Sequence, residues 1–186
     1  MTNRKLFNIK TMAKVSILAA IAFILMEFDF PIPFIAPPFY KLDFSEVAVL
    51  IGGFAMGPLA GVAIEAMKVF LSCLFFGSGT AYVGELANFV MGCAFILPAA
   101  WYYRRHKNLK SALIGMVLGT LCLMLVGGLT NYFVMLPAYS FFFNMPLEAI
   151  ISMGAKVIPF VDNAFTLVLF CTTPFNLIKG IVTSLL

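Results

Sequence analysis

Charged side chains are scarce in this chain: its 186 residues include 12 Lys and Arg and 8 Asp and Glu, 11% in all. With 62% of residues hydrophobic and a mean hydropathy of +1.03, a soluble domain of this length could not cover its apolar side chains. That excludes a soluble protein and leaves a polytopic membrane protein. The length suits one compact bundle over residues 1–186 and leaves no room for a separate soluble domain. Histidine is almost absent. The single His106 lies in a basic stretch and reads as solvated, and Cys73, Cys93, Cys122 and Cys171 lie singly in apolar runs. None has metal-ligand or redox spacing, so the cysteines read as buried inert thiols. HExxH, GxSxG and the phosphate-cradling GxxxxGK pattern are missing. This argues against an enzyme and against an ATPase of the chain's own. No inverted repeat is evident, which weighs against an ion-coupled secondary carrier. No small-residue cleavage site follows the first apolar run, so that run reads as a retained helix rather than a signal peptide.

What charge there is reports topology rather than nucleic-acid binding. Arg4, Lys5, Lys10 and Lys14 precede the first apolar run, and Arg104, Arg105, Lys107 and Lys110 separate two later ones. The positive-inside rule puts both groups, and with them the N-terminus, in the cytoplasm. An even number of crossings must lie between them. The obvious apolar runs, 12–30, 44–76 and 83–103, make three. The middle run exceeds the roughly 20 residues of a single span, and Gly57 and Pro58 can divide it into helices over 44–56 and 58–76. Four crossings then separate the basic groups. A fifth helix is expected over 111–137, ending around Pro137. Residues 141–173, broken by Pro146 and Pro159, read as an outer excursion with short helices. A sixth helix opening at Pro174 would need to reach about residue 194 to span. Either the last helix is cut short at Leu186 or the last crossing begins earlier, near Val157; the first is preferred because the second puts Pro174 deep inside a helix.

The polar residues in this apolar background carry the functional signal. Asp43, Glu46, Glu65, Lys68, Glu85 and Asn88 fall within one greasy stretch. An ionisable group at membrane depth costs about 2.5–3.5 kcal/mol on insertion scales, so such groups usually face a bundle interior or a polar cavity. Glu85 and Asn88 lie three apart on one helix face, Asn176 and Lys179 repeat that spacing, and Asn131 stands alone on the fifth helix. Each could join helices or touch a ligand; together they suggest a polar cavity in the outward half. Glu65 and Lys68 read as a pair that neutralises itself. The segment Glu27–Phe44 holds four prolines, five phenylalanines and a tyrosine. It reads equally as an ordinary interfacial loop or as a lid over a pocket. Ser16 and Ala20 on the first helix form a small-xxx-small pair that lets another helix approach.

Four motifs, KLDFSE at Lys41–Glu46, GGFAMGPLAG at Gly52–Gly61, VGELANF at Val83–Phe89 and PFNLIKG at Pro174–Gly180, resemble the riboflavin-specific substrate-binding (S) components of energy-coupling factor transporters. The resemblance runs in order from about Ala13 to Thr183. It implies an all-helical bundle of six transmembrane helices in a bacterial cell membrane, with a vitamin pocket opening outward and the proline-rich loop as its gate. Riboflavin is the implied cargo, without a cofactor or metal. The implied partners are a transmembrane coupling subunit, docked through small residues of the first helix, and two cytoplasmic ATPases. Delivery is thought to involve toppling of the S component in the bilayer. Ser16 and Ala20 stand where an alanine pair is typical. Carried across, Asn176 and Lys179 match the AsnLeuIleLys pocket motif, Glu85 and Asn88 match GluLeuAlaAsn, and Asn131 takes the amide position of the fifth helix. Tyr40, Leu42 and Asp43 fall where the gate loop meets the ligand. The alternatives are another vitamin, a self-sufficient secondary carrier in which Glu65, Glu85 or Lys179 titrates, or a purely structural subunit.

Overall fold

A computed structural model describes residues 8–142 and 144–186; Arg4 and Lys5 of the first basic group lie outside the described residues. Helix α1 (Ile9–Glu27) starts where the Asn8 side chain accepts the Lys10 amide. The proline-rich loop follows. Within it β1 (Phe30–Pro31) and β2 (Lys41–Leu42) pair antiparallel, a small ladder in an otherwise helical chain. Helices α2 (Ser45–Met56) and α3 (Pro58–Phe76) then fold back on each other. The turn between them rests on Gly57, whose φ of 104° suits a residue without Cβ, and Pro58 opens α3 where no amide donor is needed. A Cβ on Gly57 would lie 3.5 Å from the Arg104 guanidinium, so this turn sits at the same end as the basic residues between α4 (Val83–His106) and α5 (Leu109–Phe142). The expected division of the long middle run at Gly57 is therefore observed. Five helices, α1, α3, α4, α5 and α7 (Ala164–Leu185), are long and apolar enough to cross a membrane among the described residues. The 12-residue α2 is the shorter apolar helix.

Two boundaries differ from the sequence expectation. The fifth helix runs through Pro137 to Phe142, and the last starts at Ala164, ten residues before Pro174. The excursion between them shrinks accordingly and holds one helix, α6 (Leu147–Val157). In both long helices a π segment precedes the proline: Asn131–Met135 before Pro137, and Val168–Thr172 before Pro174. The Leu136 amide donates to the Asn131 carbonyl and the Thr173 amide to the Val168 carbonyl, five residues back. The widened turn relieves the clash and the lost bond that a proline brings to an α-helix interior. At 22 residues, α7 is long enough to cross without any residue beyond Leu186. The expected shortfall came from starting it at Pro174.

Packing is turned inside out relative to a soluble bundle. On α5, Leu113, Val117, Leu121, Leu125 and Leu129 form an exposed stripe at every fourth position. The opposite face buries Ala112, Gly115, Gly119, Leu123 and Gly127. A Cβ on Gly115 or Gly119 would come within 2.6 Å of the α4 carbonyls of Ala99 and Phe95. Small residues thus let the two backbones meet while leucines face lipid. One core cluster joins α1 to α5 through Ala22, Val49, Ile64, Phe95, Ile96 and Leu123. A second joins the proline-rich loop to α5, α6 and α7 through Tyr40, Leu42, Leu136, Ile150, Leu167 and Phe175.

Candidate functional site

Between the two clusters lies a cavity of about 310 Å³. It is at the end of the bundle away from the basic residues, where α1 and α3 finish and α4 starts. Phe95 and Leu123 of the first cluster and Phe39, Tyr40, Tyr139 and Phe175 around the second give it apolar and aromatic walls. Asp43, Glu85, Asn88, Asn131, Asn176 and Lys179 line it as well. Seven of the eight candidate ligand residues, counting Tyr40, thus meet at one cavity although they come from the loop and three helices. Leu42 does not line it; its side chain is buried in the second cluster from strand β2.

Their polar atoms are not equally free. Asn131 is fully engaged within the protein: its Nδ2 donates to the Gly127 carbonyl at 2.8 Å, and its Oδ1 accepts from the Tyr40 hydroxyl at 3.1 Å. The Tyr40 oxygen also lies 2.6 Å from Thr172 Oγ1. Two π segments therefore hold one tyrosine of the loop, because Asn131 opens the first and Thr172 closes the second. Burial pushes the Tyr40 phenol up against the opposing Thr172 hydrogen bond, so it stays a neutral donor. Glu85 accepts from Ser78 and Thr80 hydroxyls at 2.9 and 2.8 Å, which fixes its carboxylate on the wall. Asn88 has a long contact to Met26 sulfur at 3.9 Å. Asn176 is buried, yet its Nδ2 has no protein partner. A buried amide donor left unmatched costs free energy.

Lys179 donates to Asp43 Oδ2 at 3.0 Å, tying α7 to the foot of the loop. The Ser45 amide and hydroxyl bond the other Asp43 oxygen, so both carboxylate oxygens are held within the protein. Beneath this pair Lys68 is completely buried, 2.8 Å from Glu65 Oε2 and 3.0 Å from Glu46 Oε1. The expected Glu65–Lys68 pairing is present, but as part of a larger cluster, and Glu46 also reaches the cavity wall.

The proline-rich loop supplies Asp29, Phe39, Tyr40, Lys41 and Asp43 to the wall, and a surface ion pair of 3.1 Å between Lys41 and Asp29 closes its hairpin. That is the arrangement a lid requires. Met91, Tyr139 and Phe175 are not among the sequence candidates, and Glu46 is singled out there only as a charge in an apolar stretch. Glu46 and Phe175 stand inside the quoted motifs, whereas Met91 and Tyr139 carry no signal distinct from lipid-facing neighbours. Ser16 and Ala20 lie elsewhere, exposed on one face of α1. No group of three or more metal-ligating side chains occurs among the described residues.

Comparison with known proteins matches residues 10–186 to the family described as ECF transporter, substrate-specific component. The riboflavin transporter FmnP of Bacillus subtilis strain 168 is 37% identical over 177 residues, covering 94% of this chain and 86% of that protein. The riboflavin transporter RibU of Staphylococcus aureus strain TCH60 is 38% identical over 188 residues, covering 100% of this chain and 92% of the relative. A solved structure of the S component of a bacterial ECF transporter superposes with a TM-score of 0.73 at 35% identity, over 95% of this chain and 89% of that one. The chain belongs to the substrate-specific components of ECF transporters, multi-pass membrane proteins of transport and not enzymes.

Proposed function

We propose that this chain captures riboflavin in its aromatic-walled cavity and hands it to an ATP-driven coupling complex. One observation carries the reading: Asn176, whose amide donor has no protein partner, and Lys179 line a cavity walled by Phe39, Tyr40, Tyr139 and Phe175. A flavin's flat ring suits such walls, and its imide edge offers the acceptors that Asn176 and Lys179 need. Relatives at 37% and 38% identity that bear the name riboflavin transporter support the same cargo. Tyr40 and Asp43 close the lid over the ligand, Asn131 acts by holding Tyr40, and Glu85 and Asn88 receive the polar chain of the vitamin. Leu42 acts by packing the foot of the lid.

Six crossings, with the N-terminus in the bacterial cytoplasm, fit the basic residues at one end and the cavity near the other. In this topology α2 makes the second crossing together with the loop segment that precedes it. Ser16 and Ala20 provide the face on which the transmembrane coupling subunit docks, and two ATPases on that subunit supply the energy. Liposomes test this directly. Riboflavin uptake requires co-reconstitution with the coupling subunit, both ATPases and ATP; robust uptake by the isolated chain without ATP contradicts it and favours a self-sufficient carrier.

A further inference from the structure

The buried cluster under the cavity is more than a neutralised ion pair, because it is wired in series to Lys179. Lys68 donates to Glu46 Oε1 and to Ser45 Oγ, each at 3.0 Å, and stands 2.8 Å from Glu65 Oε2 as an ion pair. An ammonium only donates. Ser45 must therefore accept from Lys68, and its own hydroxyl proton goes to Asp43 Oδ1, with which it makes a short contact. The Ser45 amide also donates to that oxygen at 2.9 Å. The second Asp43 oxygen accepts from Lys179 at 3.0 Å. Each donor in this chain has one direction available, and Lys68, Ser45, Asp43 and Glu46 are all at most 5% exposed.

We infer that Lys68 and Ser45 are positioning residues for the substrate site, acting through Asp43 to set where Lys179 presents its remaining protons to the cavity. The inference rests on the substrate reading above. Glu65 and Glu46 flank the Lys68 ammonium on its other sides and hold it in place. The relay also joins the lid to the bundle, since Asp43 ends the loop and Ser45 starts α2. Removing the Ser45 hydroxyl leaves every ion pair and the Ser45 amide bond to Asp43 intact, but cuts the link from Lys68 to Asp43 and loosens the position of Lys179.

Lys68→Met would strand two carboxylates in the core and is expected to impair folding, so Ser45 carries the test. Riboflavin affinity is measured by fluorescence quenching with the purified full chain and with its Ser45→Ala, Ser45→Thr and Lys179→Met variants. Ser45→Ala should bind about tenfold more weakly, the scale of one lost charge-assisted hydrogen bond, and Ser45→Thr should restore binding. The deciding readout is the double variant. If Ser45 works through Lys179, adding Ser45→Ala to Lys179→Met costs nothing further. A full tenfold additional loss in that background, or wild-type affinity of Ser45→Ala alone, overturns the relay. Failure of the wild-type chain to quench riboflavin overturns the substrate reading and the relay together.

Discussion

At the scale of single residues, Asn176 and Asp43 make the sharpest claims. Asn176→Ala should weaken riboflavin binding by about 1–3 kcal/mol, because it removes a buried donor and strands its acceptor; unchanged affinity in a quenching titration removes Asn176 from the pocket. Asp43→Asn should lower Tm, because it removes the carboxylate that pairs with the mostly buried Lys179 at 3.0 Å; an unchanged Tm contradicts this. Spacing and burial cost were enough to single out Glu85, Asn88, Asn176 and Lys179 in the sequence, since a polar side chain in a span has few places to go. They could not reveal which polar atoms are already taken. Asn131 looks like Asn176 in sequence, yet both its polar atoms bond within the protein. That distinction depends on Gly127 and on a tyrosine 91 positions away.

At the scale of elements, the proline-rich loop is held through Tyr40. Its hydroxyl reaches Asn131 and Thr172, one from each π segment, so Tyr40→Phe should lower stability by about 1–3 kcal/mol for two lost hydrogen bonds and speed riboflavin release. Stopped-flow dissociation and thermal unfolding check both. Gly115→Ala would put a methyl group 2.6 Å from the Ala99 carbonyl. Backbone cannot rotate away, so overpacking of about 1–3 kcal/mol is expected as a lowered Tm. The Gly57 turn was readable because glycine followed by proline breaks a helix in only a few ways. The continuations through Pro137 and Pro174 were not readable. Proline normally ends a helix, and the π turns that spare these two carry no mark in the sequence beyond the prolines themselves. The two bulged helices also place Asn131 and Asn176 at the cavity and Thr172 beside Tyr40.

At the scale of the whole molecule, composition was decisive for class, and the exposed leucines of α5 with the buried glycines opposite confirm a lipid-facing bundle. The position of the cavity could only be inferred loosely from sequence, because it depends on how the loop folds back over the ends of five elements. The exposed small face of α1 predicts a separation of tasks. Ser16→Leu with Ala20→Leu should leave riboflavin affinity in detergent intact and abolish ATP-driven uptake in proteoliposomes; normal uptake would remove this face from docking. All of these claims presuppose that the cavity takes a flavin. The most direct measurement is a fluorescence-quenching titration of riboflavin with the detergent-purified chain, its fold checked by circular dichroism. The account predicts saturable quenching at one riboflavin per chain, and a folded sample that leaves riboflavin fluorescence unchanged would contradict it.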